Sequence, residues 1–177
     1  TSQVAALTTA GVAALTTDQV SKGLSTDQVV ALTTGQVSNL TTDQVVALTT
    51  AQVATLNTDQ IQSLTTNQVK AMETRDVAAL TTRQVGALTT DQVPKLTTGQ
   101  ISKLTTSQLA SLSSSQVGAL TKDQLGALST AEASSLSSTQ ISALNATQIG
   151  ALSTSVVAAL GTDQVKALSA NQFKALT

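Results

Sequence analysis

Leucine recurs every eight positions along the whole chain. It occupies the last position of 22 successive units, with Met72 in its place once, and the interval departs from eight only between Leu15 and Leu24, where an extra residue enters at 21–24. A second apolar column lies three residues before each leucine from position 29 onward. A period of eight fits neither the alternation of a strand nor a sustained heptad. The pattern therefore indicates a repeated unit with its own internal structure.

Each unit has the sequence of a helix start. In Leu40-Thr41-Thr42-Asp43-Gln44-Val45, Thr41 is suited to be the N-cap, and Gln44 stands at the third helical position, which completes a capping box. Leu40 and Val45 occupy the two positions of a hydrophobic staple, and Asp43 lies where the helix dipole favours negative charge. The residue after the leucine is Thr, Ser or Asn in 20 of 22 units, so the signal recurs in phase.

The repeat predicts an all-α solenoid of short helices of about two turns. Such helices are too short to be stable alone, so the units must stack and bury the valine and leucine columns against their neighbours. A weaker pattern suggests how many helices form one coil, because Asp at the second helical position recurs in one phase of a 16-residue period, at 27, 43, 59, 91 and 123. We therefore expect two helices per 16-residue coil, with three or four as open alternatives.

The same columns run through the entire sequence, which predicts a single continuous repeat array over 1–177. The extra residue at 21–24 predicts a bulge or a widened helix end near Gly23, and it leaves 1–23 as a possible terminal coil. Pro94 is expected to distort one helix locally, because proline lacks a backbone N–H. Leu88 is expected inside the solenoid and Thr90 outside.

The sequence has two other interpretations, disorder and a β-solenoid. The high content of Thr, Ser and Gln favours disorder, but 41% apolar residues in strict register argues against it. Thr and Val also favour strands, as a β-solenoid would require. Nine glycines in 22 units are too few for the turns of that fold, so the helical solenoid is preferred.

Composition excludes several classes of function. The 177 residues include no Cys, His, Trp or Tyr, and Lys+Arg (9) nearly balance Asp+Glu (10). The composition therefore excludes functions that need thiol or imidazole chemistry. It also excludes stacking of nucleic-acid bases on aromatic side chains and electrostatic binding of nucleic acid. No apolar run approaches the roughly 20 residues of a membrane span. We predict a non-enzyme with no catalytic, cofactor-binding or metal-binding residues, no nucleic-acid partner and no membrane insertion.

One patch departs from the repeat. Glu73-Thr74-Arg75-Asp76 replaces the usual cap and glutamine with two carboxylates. Paired carboxylates can perform acid–base catalysis, but no pocket or orienting group is implied. We interpret the patch as a structural variant, in which Glu73 and Asp76 still provide acceptors for the helix start and Arg75 is their local charge partner. The scattered acids form no Asp-rich calcium loop.

Paired threonines suggest an alternative function. The first threonine of each pair is explained by capping, whereas the second, at the first helical position, has no such requirement. Repeated hydroxyl and methyl groups on one face could bind ice, glycan or another surface. The simpler interpretation is that threonine keeps the surface soluble without charge.

The octapeptide Ala47-Leu48-Thr49-Thr50-Ala51-Gln52-Val53-Ala54 resembles repeat tracts of large secreted or surface-exposed, adhesin-like bacterial proteins. The resemblance covers essentially the whole chain and implies an extracellular or cell-surface stalk, spacer or filament, but it assigns no functional residues. Because the apolar columns also continue to both ends, from Val4 and Val12 to Leu168 and Phe173, we expect one uncovered face at each end. The leading hypothesis is therefore a structural rod that associates end to end.

Overall fold

A computed structural model describes residues 2–176, and this part of the chain contains short helices and no strand. The all-α solenoid of short helices is thereby confirmed. The chain divides into two compact units, Thr1–Leu88 and Thr89–Thr177, which are described separately below. The single continuous array over 1–177 stays a prediction.

The first unit consists of helices of four to six residues joined by short corners. Its elements are α1 (Ser2–Ala5), α2 (Thr9–Ala13), a π-helix (Gln19–Gly23), α3 (Thr26–Val30), α4 (Thr34–Ser38), α5 (Thr42–Ala47), α6 (Thr50–Thr55), α7 (Thr58–Ser63), α8 (Thr66–Ala71), α9 (Thr74–Ala79) and α10 (Thr82–Ala87).

The second unit repeats the same design. Its elements are a 3₁₀-helix (Val93–Lys95), α11 (Thr98–Ile101), α12 (Thr106–Ala110), α13 (Ser114–Gly118), α14 (Lys122–Gly126), α15 (Thr130–Ser135), α16 (Ser138–Ser142), α17 (Ala146–Ile149), α18 (Thr154–Ala159), α19 (Thr162–Lys166) and α20 (Ala170–Lys174).

Reciprocal capping begins the helices, as the sequence predicted. At the start of α5, Thr41 is extended (φ −70°, ψ 159°), and its hydroxyl accepts the Gln44 backbone N–H at 3.2 Å. The Gln44 side chain accepts the Thr41 backbone N–H at 2.8 Å. The helix ends at Leu48, whose extended backbone (ψ 139°) leads directly into the next N-cap. Each octapeptide repeat therefore begins one helix and also determines where the preceding helix ends.

Each helix packs against the helix that lies three octapeptide repeats further along the chain. In the first unit α6 packs between α3 and α9, and in the second α15 packs between α12 and α18. One coil thus contains three helices, and the expected coil of two helices was wrong. Successive corners share the same pair of extended residues, so each turns the chain in a similar way, and three such turns bring a helix above the first. The 16-residue recurrence of aspartate concerns an exposed position and does not constrain this packing.

The two apolar columns form the interior of the coils. Val53 is fully buried and Leu56 is 5% exposed, and most members of both columns away from the ends are similarly buried. Leu88 is also buried and Thr90 exposed, as expected. The core thus forms almost without aromatic residues, because small helices stacked through Val, Leu and Ala leave little space to fill.

Two irregular units are accommodated inside the repeat. The extra residue at 21–24 lies within the π-helix Gln19–Gly23, whose wider turn absorbs one additional residue. The expected widened helix end is confirmed, and this π-helix still packs against α5 three units later. Pro94 lies in a 3₁₀-helix in place of an α-helix, which confirms the expected local distortion.

The two faces of a coil are different. In the first coil, Val4 and Val12 are buried whereas Leu7 is 39% exposed, so the uncovered apolar face expected at this end is formed by leucine and not by valine. In the last coil, Val165 is only half-buried and Phe173 is 56% exposed. The reason is directional packing: this column of each coil is covered by the following coil, and within residues 2–176 no coil follows 153–176.

We predict that Leu64→Ala lowers the free energy of unfolding by about 2–5 kcal/mol, because Leu64 is 4% exposed and its truncation leaves a cavity. Thr42→Ala, at an exposed first helical position, serves as the control and should change it by less than about 0.5 kcal/mol. Denaturant unfolding followed by circular dichroism measures both. Equal losses would contradict the assignment of inside and outside.

Candidate functional site

A row of buried glutamines joins each coil to the one before it. The glutamine at the third helical position closes the capping box through its side-chain oxygen, and its amide nitrogen points to the corner of the preceding coil. In Gln60 the oxygen accepts the Asn57 backbone N–H at 3.0 Å. The nitrogen donates to the carbonyl oxygens of Val29 and Leu32 at 2.9 and 2.8 Å. Gln60 is 1% exposed, so these bonds are shielded from water.

This arrangement recurs in both units with little variation. The amide nitrogen donates to carbonyls 28 and 31 residues earlier, or one residue further back where the extra residue intervenes. The glutamines with these bonds are Gln36, Gln44, Gln52, Gln60, Gln68 and Gln84 in the first unit, and Gln124, Gln140, Gln148, Gln164 and Gln172 in the second.

The sequence pattern predicts only the capping role of glutamine and not its second role as a donor to the preceding coil. A signal was present in the composition, because a capping box accepts Glu as well as Gln at this position, yet Gln fills 18 of 22 units and Glu one. Only the amide supplies N–H donors to the preceding coil. Each such bond contributes about 0.5–1.5 kcal/mol net, and a buried partner left unsatisfied costs about 1–3 kcal/mol.

The patch at Glu73–Asp76 interrupts this row. Glu73 makes no side-chain cap hydrogen bond, and its carboxylate instead pairs with the Arg75 Nε at 2.7 Å. Asp76 is completely buried, and neither of its carboxylate oxygens has a hydrogen-bond partner. Arg75 is thus the local charge partner that the sequence predicted, but the expectation that Glu73 and Asp76 cap the helix was wrong. Aspartate is one methylene shorter than glutamine, which explains why its oxygens do not reach the N-cap N–H.

Burial dominates the electrostatics of Asp76. The pKa of Asp76 is raised above its ordinary value of 3.8, chiefly because burial penalises the charged form. The positive charge of Arg75, whose Nε lies 3.8 Å from Oδ1, opposes this shift in pKa, and the negative charge of Glu73 adds to it. Asp76 is therefore a buried acid with a long ion pair to Arg75 and no hydrogen bond, in a row whose other positions are mostly glutamines.

A second carboxylate in the same row behaves differently. Glu132 replaces glutamine in the second unit, and its longer side chain still accepts the Ser129 backbone N–H at 2.6 Å. Its capping box is complete. The comparison shows that loss of the cap at Asp76 follows from side-chain length, whereas loss of the amide donors is common to both acids.

A cavity lies beside the Asp76 corner. It has a volume of about 350 Å³ and is lined by Leu48, Thr49, Thr50 and Arg75, with Ser21 and Ala47 completing the wall. Leu48 and Thr49 form the corner over which α9 begins, since α9 packs on α6. Hydroxyl groups and the Arg75 guanidinium thus line this cavity, whereas the Asp76 carboxylate is buried and does not form part of its wall.

The described residues show no conventional metal or membrane site. Between residues 2 and 176, no three Asp or Glu side chains cluster as metal ligands would. Within that range, no helix has both the length and the apolar character needed to cross a bilayer. The exposed second threonines, such as Thr34, Thr42 and Thr50, begin successive helices of a three-helix coil and so occupy three different edges. The surface-binding alternative stays a prediction.

We predict that Gln60→Glu lowers the free energy of unfolding by about 2–4 kcal/mol, because it keeps the acceptor but removes two buried N–H donors and introduces a charge. Gln28→Glu is the matched control, since Gln28 caps Ser25 in the same way. It donates to no carbonyl in the described chain, and its substitution should cost less than about 0.5 kcal/mol. If denaturant unfolding shows that both substitutions lower the free energy of unfolding equally, the amide donors contribute nothing to stability and glutamine acts only as a capping residue.

We also predict that Asp76 gives the protein a distinctive pH dependence. Because its pKa is higher in the folded chain than in the unfolded one, the stability it contributes is fully present below pH 3.8 and is lost as the pH rises through the raised pKa. The difference in unfolding free energy between Asp76→Gln and the parent should grow over that window, measured in metal-free buffer. A difference that is constant with pH would contradict the prediction.

Comparison with known families agrees with the repeat geometry. The model of the ALTTAQ repeat matches residues 39–74, 69–106, 95–130, 123–154 and 149–177, which together cover 39–177. A search of curated proteins finds no match. The chain therefore belongs to the ALTTAQ repeat family.

Proposed function

We propose that this helical repeat protein is a non-catalytic structural element, an extracellular or cell-surface stalk, spacer or filament that works by stacking coil upon coil. The observation that carries the proposal is the directional pairing of coils. Each coil presents glutamine amides to the coil before it and an apolar surface to the coil after it. A coil of the same kind is therefore the best partner for either face.

The last coil presents an apolar surface with unpaired acceptors. We define the forward face as the uncovered columns of residues 153–176, which are Val157, Leu160, Val165, Leu168, Phe173 and Leu176. The carbonyl oxygens of Leu160 and Leu168 accept no hydrogen bond within residues 2–176, whereas the equivalent oxygens of Leu136 and Leu144 accept glutamine amides at 2.6 Å. The forward face thus provides both apolar surface and acceptors.

The first four helices present the complementary groups. We define the rear face by Gln3, Gln19 and Gln28, with the leucines Leu7 and Leu15. Gln19 and Gln28 close capping boxes through their oxygens, but their amide nitrogens have no acceptor within residues 2–176. Leu7 is 39% exposed. A second coil array that continued the repeat would place these amides over the carbonyls of the forward face.

The two faces differ, so the contact between them is heterologous. Such a contact propagates as a filament unless the rotation closes a ring. The net charge of −1 offers little electrostatic repulsion to oppose it. The same stacking extends a stalk when more repeats occupy the same polypeptide, and it joins molecules when they do not.

We expect concentration-dependent end-to-end association, measured by sedimentation velocity. Leu168→Lys with Phe173→Lys places two charges on the forward face and should leave a monomer, because burying unpaired ammonium groups is costly. Thr162→Lys with Ala170→Lys adds the same charge at exposed first helical positions and should associate as the parent does. A parent that stays monomeric at high concentration would favour a monomeric spacer.

Mixing two blocked variants tests the heterologous contact directly. Leu7→Lys with Leu15→Lys blocks the rear face, and the forward-face variant above blocks the other. Each variant alone should be monomeric, whereas a mixture should form dimers and nothing longer. Electron microscopy of the parent should show chains of molecules. Dimers formed by a single blocked variant would indicate a symmetric contact and would contradict the proposal.

A further inference from the structure

The Asp76 corner has buried oxygen acceptors to which no side-chain amide donates, although the Val45 carbonyl accepts the Leu48 backbone N–H at 3.3 Å. Asp76 occupies the row position at which glutamines donate to carbonyls 28 and 31 residues earlier, and for Asp76 these are the carbonyls of Leu48 and Val45. No side chain donates to the Leu48 oxygen within residues 2–176, and both Asp76 oxygens are unpaired. In each complete capping box of the first unit from Thr33 onward, an amide nitrogen takes this place.

The charge at this corner favours a cation. Asp76 and Glu73 contribute two negative charges, and Arg75 contributes one positive charge that is directed to Glu73 at 2.7 Å. Arg75 lies farther from Asp76, at 3.8 Å, and makes no hydrogen bond to it. The helix beneath, α6, carries no charged residue in Thr50–Thr55. A buried, unpaired carboxylate costs several kcal/mol, so a compensating positive charge stabilises the folded chain.

We propose that the Asp76 carboxylate and the carbonyl oxygens of Leu48 and Val45 bind a hard, oxygen-coordinated metal cation, in the place that the glutamine amide nitrogen takes in neighbouring units. Carboxylate, main-chain carbonyl and water are the ligands that Ca²⁺ takes, and Na⁺ and K⁺ share this preference for oxygen. A cavity of about 350 Å³, which Leu48 and Arg75 help to line, has room for several waters, and these can reach a cation held at the Leu48 carbonyl. With one carboxylate the site is weak, on the order of 10⁻⁴–10⁻³ M for Ca²⁺.

Thermal unfolding in different salts tests the proposal. The thermal unfolding of the parent is first measured at pH 7 in tetramethylammonium chloride, whose cation is too large for the corner. It is then measured with CaCl₂, MgCl₂, NaCl or KCl at the same ionic strength. About 10 mM CaCl₂ should raise Tm by about 3–5 °C, as expected for a ligand at roughly ten times its Kd. If the sodium or potassium salt gives the larger shift, the site is monovalent.

Two variants separate this site from general salt effects. Asp76→Gln restores the consensus and its amide donors, so its Tm should be higher in tetramethylammonium chloride and insensitive to the metal salts. Glu132→Gln removes a carboxylate that already has a partner, and it should retain the full Ca²⁺ shift of the parent. Isothermal titration with CaCl₂ should detect one weak site in the parent and in Glu132→Gln, and none in Asp76→Gln.

Three results would overturn the proposal. The first is a parent Tm that is the same in all metal salts as in tetramethylammonium chloride. The second is a Ca²⁺ shift that persists in Asp76→Gln. The third is a parent stabilised by mild acid and unaffected by any metal ion, which would show that a proton alone neutralises Asp76.

Discussion

The buried glutamine amide is the interaction on which the structure depends. Its oxygen accepts the N–H of the residue that starts the helix, and its nitrogen donates to the corner of the preceding coil, so one side chain links helix formation to coil stacking. The capping role and the stacking role cannot be separated, because a helix of five or six residues gains too few internal hydrogen bonds to be stable alone. Local and long-range structure therefore form together, which favours cooperative folding within each unit.

This interaction also makes the coils directional. Glutamine is covered by the coil before it, whereas the valine column, which includes Phe173, is covered by the coil after it, as Gln172 and Phe173 show by their opposite exposure in the last coil. A stack built in this way has a rear face with donors and a forward face with acceptors and apolar surface. The proposed structural role follows from that difference, because unlike faces add coils in one direction without a natural end.

The row also explains why a single substitution can create a new property. Asp76 has the same location as its glutamine neighbours, but it loses the cap, the two donors and electrical neutrality at once. Glu132 retains the cap because its side chain is longer by one methylene. The proposed cation site thus arises from a departure from the repeat, at a row position that the regular repeats fill with a neutral glutamine.

The sequence by itself determined where helices begin and end, and which residues are buried. Thr41, Gln44, Leu40 and Val45 encode these features through interactions within one unit, at separations of three to five residues that a repeat makes visible. Three things were decided only by the tertiary structure: three helices per coil, the second role of glutamine and the isolation of Asp76. The turn at each corner sets which helices meet, and the contacts that result join residues 28–32 positions apart, such as Gln60 with Leu32 and Gln44 with Val12. An eight-residue pattern does not specify that separation, because every octapeptide repeat has the same sequence pattern whichever neighbour it packs against.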